Sequence, residues 1–444
     1  MMTGLRRLRE YGTRTTTTAA ALFLATFVVF FAPLRHGGTG DTVPAQLLPI
    51  SILFEGNFDF NEFVCPVDAA GRASDYDALR CTAPLPYYFG VVDGRVVSNY
   101  PIVPGLLNVP VHAGAVLLGV NVARHSVTLS MLTAALVTAG SVAFMFLLLA
   151  EVARERSTAL LGALVYAFGT VVWSVAARGL WQHGPSLLLL NAALYLLVRR
   201  GGERAIPWAG LLLGLAVFNR PANALLAAPL AVYVLLHHRR EALRFCAMAA
   251  VPAVAMLVYS MVVLKSWTSL GQGQDMVAGA RPLEGLLGIL FSPARGLFVF
   301  SPILLLGLVR LPRVISGRAR HPIAVYLLAG TAALIGLHAV WHIWWGGHSF
   351  GYRLLAEAVP FFILLLAVAW EETLRRSRLF VGLTAVLLAV SVYIHFLGAF
   401  VAPCGFDSSP NFIDYHPERL WQIHETELIR CTRALGASHA SGFF

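Results

Sequence analysis

The chain has 444 residues, of which 57% are hydrophobic and 13% charged, and its mean hydropathy is +0.70. That much apolar surface excludes a water-soluble enzyme and implies an all-α polytopic membrane protein, because runs able to cross a ~30 Å hydrocarbon core recur throughout. The net charge of +10 does not mark a nucleic-acid binder, since it sits in short arginine clusters between apolar runs, with Lys265 the only lysine.

The first element has a basic start, with Arg6, Arg7, Arg9 and Arg14, and then an apolar stretch. No small-x-small cleavage site follows, so an uncleaved helix over 17–34 is expected rather than a signal peptide. Further helices are expected over 126–150, 158–176, 184–198, 206–219, 222–236, 243–264, 297–310, 322–341, 353–370 and 379–397, eleven in all. The segment 102–120 is apolar too, but Pro104, Pro110, His112 and several glycines interrupt it.

Loop charge decides the role of 102–120. Basic clusters follow it at Arg154 and Arg156, at Arg199, Arg200 and Arg204, and at Arg239, Arg240 and Arg244. Two more come at Arg310, Arg313, Arg318 and Arg320, and at Arg375, Arg376 and Arg378. They share a side with the N-terminal arginines only if 102–120 does not span the bilayer. The positive-inside rule then places the N-terminus in the cytoplasm of a bacterial inner membrane and the C-terminus outside. The expected organisation is a membrane domain over 1–397 and a short extracytoplasmic tail over 398–444. The first outer loop, 35–125, should carry interfacial helices.

The outer segments hold most of the Trp, His, Asp and Asn. Four of five cysteines also lie there, Cys65 with Cys81 in the first loop and Cys404 with Cys431 in the tail. Two local disulfides are expected in an oxidising compartment. No C-x-x-C pattern or other metal-ligand set is present.

Asp41 stands in Gly40-Asp41-Thr42, just past the first helix. A carboxylate at that depth is partly desolvated, and its pKa is expected to rise toward the range of a general base; an ordinary loop cap is the alternative. Asp75-Tyr76-Asp77 reads as a solvated turn. Tyr100, with Pro101 and Pro104, reads as an interfacial anchor. Arg178, Trp181, Gln182 and His183 share one short turn, which could hold an anionic lipid headgroup or form an aromatic belt. Arg220 lies at membrane depth, where an arginine pairs or lines a polar cavity. The Gly-rich loop 265–296 supplies Asp275, Arg281 and Arg295. Gly346-Gly347-His348-Ser349-Phe350-Gly351-Tyr352-Arg353 runs into a helix as a plausible phosphate cradle, or as a tight turn with interfacial tryptophans.

The order of these pieces resembles the GT-C superfamily of membrane glycosyltransferases, in particular the polyprenyl-phosphate-sugar-dependent branch related to protein mannosyltransferases and the lipid A aminoarabinose transferase. The resembling pieces are Gly40-Asp41-Thr42, Tyr100-Pro101, Leu180-Trp181-Gln182-His183-Gly184, Arg220-Pro221, Leu290-Phe291-Ser292-Pro293 with Arg295, Gly346 to Arg353, and His416 to Trp421. Many relatives carry an acidic pair where Thr42 follows Asp41 here, and some have a large soluble C-terminal domain where this chain has only a tail.

The resemblance implies an extracytoplasmic site with Asp41 as catalytic base. Arg353 is the expected donor-phosphate ligand, with Arg295, Arg220 and His183 behind it, and no cofactor is required. The implied partners are a polyprenyl-phosphate sugar, membrane lipid, and an acceptor that is a glycan, a lipid or a protein. A lipid-linked-sugar flippase would instead place charges at mid-bilayer in several helices. A noncatalytic envelope-glycan assembly subunit would keep the fold and lose the chemistry.

Overall fold

The computed structural model describes residues 2–33, 35, 37–64, 85–266 and 281–440. Cys65, Cys81, Asp75, Asp77 and Asp275 lie outside the described residues.

Helix α1 covers Met2–Phe31. The next stretch holds two short helices, α2 (Val43–Ile50) and α3 (Val103–Leu117), with a two-stranded antiparallel hairpin between them, Phe89–Val92 with Arg95–Ser98. Gly119, at φ +72°, ends this region. The side chain of Asn121 then accepts the amide of Arg124 at 3.0 Å and starts α4 (Val122–Val152).

Seven helices follow: α5 (Arg156–Phe168), α6 (His183–Val198), α7 (Ile206–Asn219), α8 (Ala224–His237), α9 (Arg239–Val262), α10 (Pro282–Phe291) and α11 (Leu297–Phe300). After them come α12 (Leu311–Ile315), α13 (Ile323–Ala339), α14 (Val359–Glu372), α15 (Arg378–Phe400) and α16 (Glu427–Ala440). Proline sits in the first turn of α2, α3, α7, α10 and α14, where its missing N–H costs no hydrogen bond.

Among the described residues, five helical segments are long and apolar enough by themselves to cross a membrane: Arg14–Phe31, Val122–Val152, Arg239–Val262, Arg353–Arg376 and Arg378–Phe400. The 353–376 window is 83% buried while the 239–262 window is 17% buried, so α14 forms the centre of the bundle and α9 lies at its rim. Helix α7 brings α9 close with Gly210 and Gly214, where a Cβ would meet Phe245 O at 2.2 Å and Pro252 Cγ at 2.5 Å.

Side-chain pairs fix which helix ends lie together. At one end Arg156 bonds to Arg14 and Thr18, Arg320 pairs with Glu371, Arg310 and Arg313 pair with Glu372, and Arg375 pairs with Glu155. At the other end lie Asp41, His183, Arg220, His338 and Arg353. Among the described residues, eleven segments run between these ends, in line with the eleven expected from the sequence.

Phe30 meets Phe168 edge-on at the end opposite the Arg156 contact, so α1 and α5 are parallel and α4 antiparallel to both. The chain from 32 to 121 therefore starts and ends at the same end. Helix α3, with 15 residues, packs on α2 and α4.

Three details differ from the sequence reading. The hairpin is strand where only helix was expected. The loop after α9 contains α10. The 297–310 helix is broken, with α11 stopping before Pro302 and a 3₁₀ stretch carrying Pro302–Arg310 into α12.

Candidate active site

Asp41 is presented by a 3₁₀ turn, Gly40–Thr42, nine residues beyond α1. The turn packs under the hairpin. A Cβ on Gly40 would lie 2.6 Å from the Tyr87 hydroxyl and 2.7 Å from the Tyr88 ring, so no larger residue fits beneath these rings. Tyr87 and Tyr100 both donate to Asp41 Oδ1, at 2.7 and 2.8 Å. Arg353 donates through Nη1 to Oδ2 at 2.7 Å.

Arg353 is itself fixed on two more sides. Its Nε donates to the Gly346 carbonyl at 2.6 Å, and its guanidinium lies 4.5 Å from the centre of the Trp181 ring. Gly346 and Gly347 have φ of +76° and +68°, the left-handed conformation that turns the chain back over Arg353. The Gly-rich turn thus positions an arginine.

Burial alone would raise the Asp41 pKa. The Arg353 charge and the hydrogen bonds from Tyr87, Tyr100 and Arg353 outweigh it and hold the carboxyl below the ordinary aspartate value. This overturns the expected rise, which considered depth without partners. The same carboxylate and their own burial push both tyrosines upward, so each remains a hydrogen-bond donor.

Behind Arg353 lies a buried charged network. Glu357, one helical turn on, accepts from Arg220 at 2.5 Å and pairs with His183 Nδ1 at 2.9 Å. Arg220 Nη2 reaches His338 Nε2 at 3.2 Å. Arg220 and His183 are thus both engaged by Glu357. Arg178 is 2% exposed and has no ion pair among the described residues. Burial and the neighbouring Arg35 lower its pKa to about 10. Its Nη1 and the Trp181 Nε1 are buried donors without a protein acceptor.

Other candidates lie elsewhere. Arg295 is buried between Asp407 and Glu427, which it pairs with through Nη2 and Nη1, so it fastens the tail. The Cys404–Cys431 disulfide closes the same region. Arg281 is exposed and pairs with Glu284 in the next turn. His348 pairs with Asp414 at 2.7 Å on the surface. Tyr352 is buried and shares a hydrogen bond with Ser301. Gln182 contributes its carbonyl to Asn219. Asp59 lies in the loop before the hairpin, where its Oδ1 accepts the Asn61 amide.

Tyr87, Glu357 and His338 escaped the sequence reading. An acid four residues after Arg353, inside an apolar run, is the signal that marks Glu357, since ionisable groups at membrane depth seldom lack a role. Tyr87 and His338 carry no comparable sequence signal.

No protein-family model and no curated protein matches the chain. Among solved structures, ArnT from Cupriavidus metallidurans bound to undecaprenyl phosphate is similar to it over 96% of this chain and 79% of that one. The identity is 15% and the TM-score 0.49. Archaeal oligosaccharyltransferase AglB from Archaeoglobus fulgidus, in complex with an inhibitory peptide and a dolichol-phosphate, is similar over 94% of this chain and 60% of that one. Here the identity is 13% and the TM-score 0.47. Likeness at this level says nothing of chemistry, which comes from the side chains above.

Proposed function

We propose that the protein is an inverting glycosyltransferase of GT-C type that moves a hexosyl or pentosyl group from a polyprenyl-phosphate-linked donor to an acceptor hydroxyl on the outer face of the membrane. The observation that carries this reading is the joining of Asp41 to Arg353 beneath Trp181, at the end of the bundle away from the basic clusters. A base and a phosphate ligand are thereby held side by side.

The acceptor O–H gives its proton to Asp41 while its oxygen bonds to the anomeric carbon. The bond from that carbon to the phosphate oxygen breaks, and polyprenyl phosphate leaves with the electron pair. Arg353 faces the growing charge on that oxygen. The unpaired Arg178 and Trp181 Nε1 supply further donors on the same side. A phosphate that binds Arg353 draws it from Asp41. The carboxylate then loses its strongest stabilising partner and becomes more basic only when donor is present.

Asp41→Asn keeps the shape and removes the base. In a purified transfer assay it should lower turnover by ~10²–10⁴-fold with donor binding nearly intact. Asp59→Asn serves as the control. Wild-type turnover in the Asp41 variant would end the catalytic assignment and turn attention to a transporter or an assembly subunit.

A further inference from the structure

A cavity of about 230 Å³ lies at the basic end of the bundle, on the far side from Asp41. Four arginines line it, Arg310, Arg313, Arg318 and Arg320, together with His321 and a single carboxylate, Glu372. Glu372 pairs with Arg310 and Arg313, and Glu371 behind it pairs with Arg320. Four cations against these two acids leave an excess of two. Arg318 has no ion pair among the described residues, and Arg310, 6% exposed, keeps its Nε without an acceptor, as does His321 Nε2.

The remaining wall is apolar. Ile323 and Leu327 of α13 face Phe361, Leu364, Leu365 and Val368 of α14. From Glu372 back to Phe361 the helix rises roughly 16 Å, close to one leaflet of a ~30 Å hydrocarbon core. A cationic rim above an apolar slot one leaflet deep has the two-part chemistry of an amphiphile.

We propose that this cavity binds one anionic glycerophospholipid, its phosphate at the arginine rim and an acyl chain against α13 and α14. A free phosphate would satisfy the rim and leave the slot without purpose. A zwitterionic lipid would fill the slot without answering the excess charge. Basic pockets between helices near the membrane surface hold anionic headgroups in this way.

The test uses the full chain in vesicles of equal phosphatidylglycerol and phosphatidylcholine, released into gentle detergent, with bound lipid read by native mass spectrometry. Wild-type protein should retain phosphatidylglycerol over phosphatidylcholine by about tenfold, a preference that Arg313→Gln with Arg318→Gln should bring close to parity. Both arginines are solvent-exposed, so the double variant should fold; an unchanged melting temperature confirms that. Equal retention of the two lipids by wild type, or an undiminished preference in the double variant, would overturn the proposal. A parallel arm adds inorganic phosphate to delipidated protein. Thermal stabilisation equal to that given by phosphatidylglycerol would make this an anion site and not a lipid site.

Discussion

Asp41 accepts three hydrogen bonds in the resting chain, two from tyrosines on one oxygen and one from Arg353 on the other. Its pKa is depressed, so it is a carboxylate at neutral pH, and the base is lost only as pH falls through a value below that of ordinary aspartate. The acid limb of kcat/KM, which reports the free enzyme, should therefore lie below the value of an ordinary aspartate, with no Asp41-dependent loss near neutral pH. Arg353→Ala removes the cation, so the limb should move to higher pH while donor binding weakens and turnover falls. A limb that stays in place while binding weakens would mean that Arg353 does not govern Asp41.

Glu357→Gln makes a different prediction. It leaves Arg220 buried without its counter-charge, and loss of one partner of a buried pair costs about 3–5 kcal/mol. A melting temperature within error of wild type would show that Arg220 finds relief elsewhere. Asp41 was legible in the sequence from its place just past the first helix, and Arg353 from the glycine-rich run that leads into a helix. Glu357 was written there too, but only as one acid among apolar neighbours.

At the scale of elements, periodicity and charge located every traversing segment, and what escaped was how individual segments bend. Pro302 breaks the 297–310 run, and hydropathy does not register a missing N–H. The hairpin was hidden by its length, four residues a strand. The Cys404–Cys431 disulfide of the tail was expected from the two cysteines, but its second anchor, Arg295 between Asp407 and Glu427, was not. A closed loop with a sequence separation of 27 is worth about 3.6 kcal/mol in the chain-entropy account. Cys404→Ser should accordingly speed proteolysis of residues 405–430 while leaving the helices of the bundle resistant. Cleavage at the wild-type rate would mean that the Arg295 ion pairs suffice alone.

For the whole molecule, the helices gather the arginine clusters at one end of the bundle, which the positive-inside rule assigns to the cytoplasm. Reporters fused at Gly201 and Gly317, both in basic-end turns, should read cytoplasmic, and one fused after residue 440 should read external. If either glycine reported outside, the polarity of the axis would be reversed.

The distance in sequence between Asp41 and Arg353 has a consequence for biosynthesis. The two residues are 312 positions apart, and their ion pair joins the first outer segment to one of the last helices to be made. At about 5–20 residues per second, a ribosome needs roughly 15–60 s to travel from one codon to the other. Throughout that interval the nascent chain carries its aspartate without the cation that completes the pair. The pair, and whatever depends on it, is complete only once the chain has been made past Arg353.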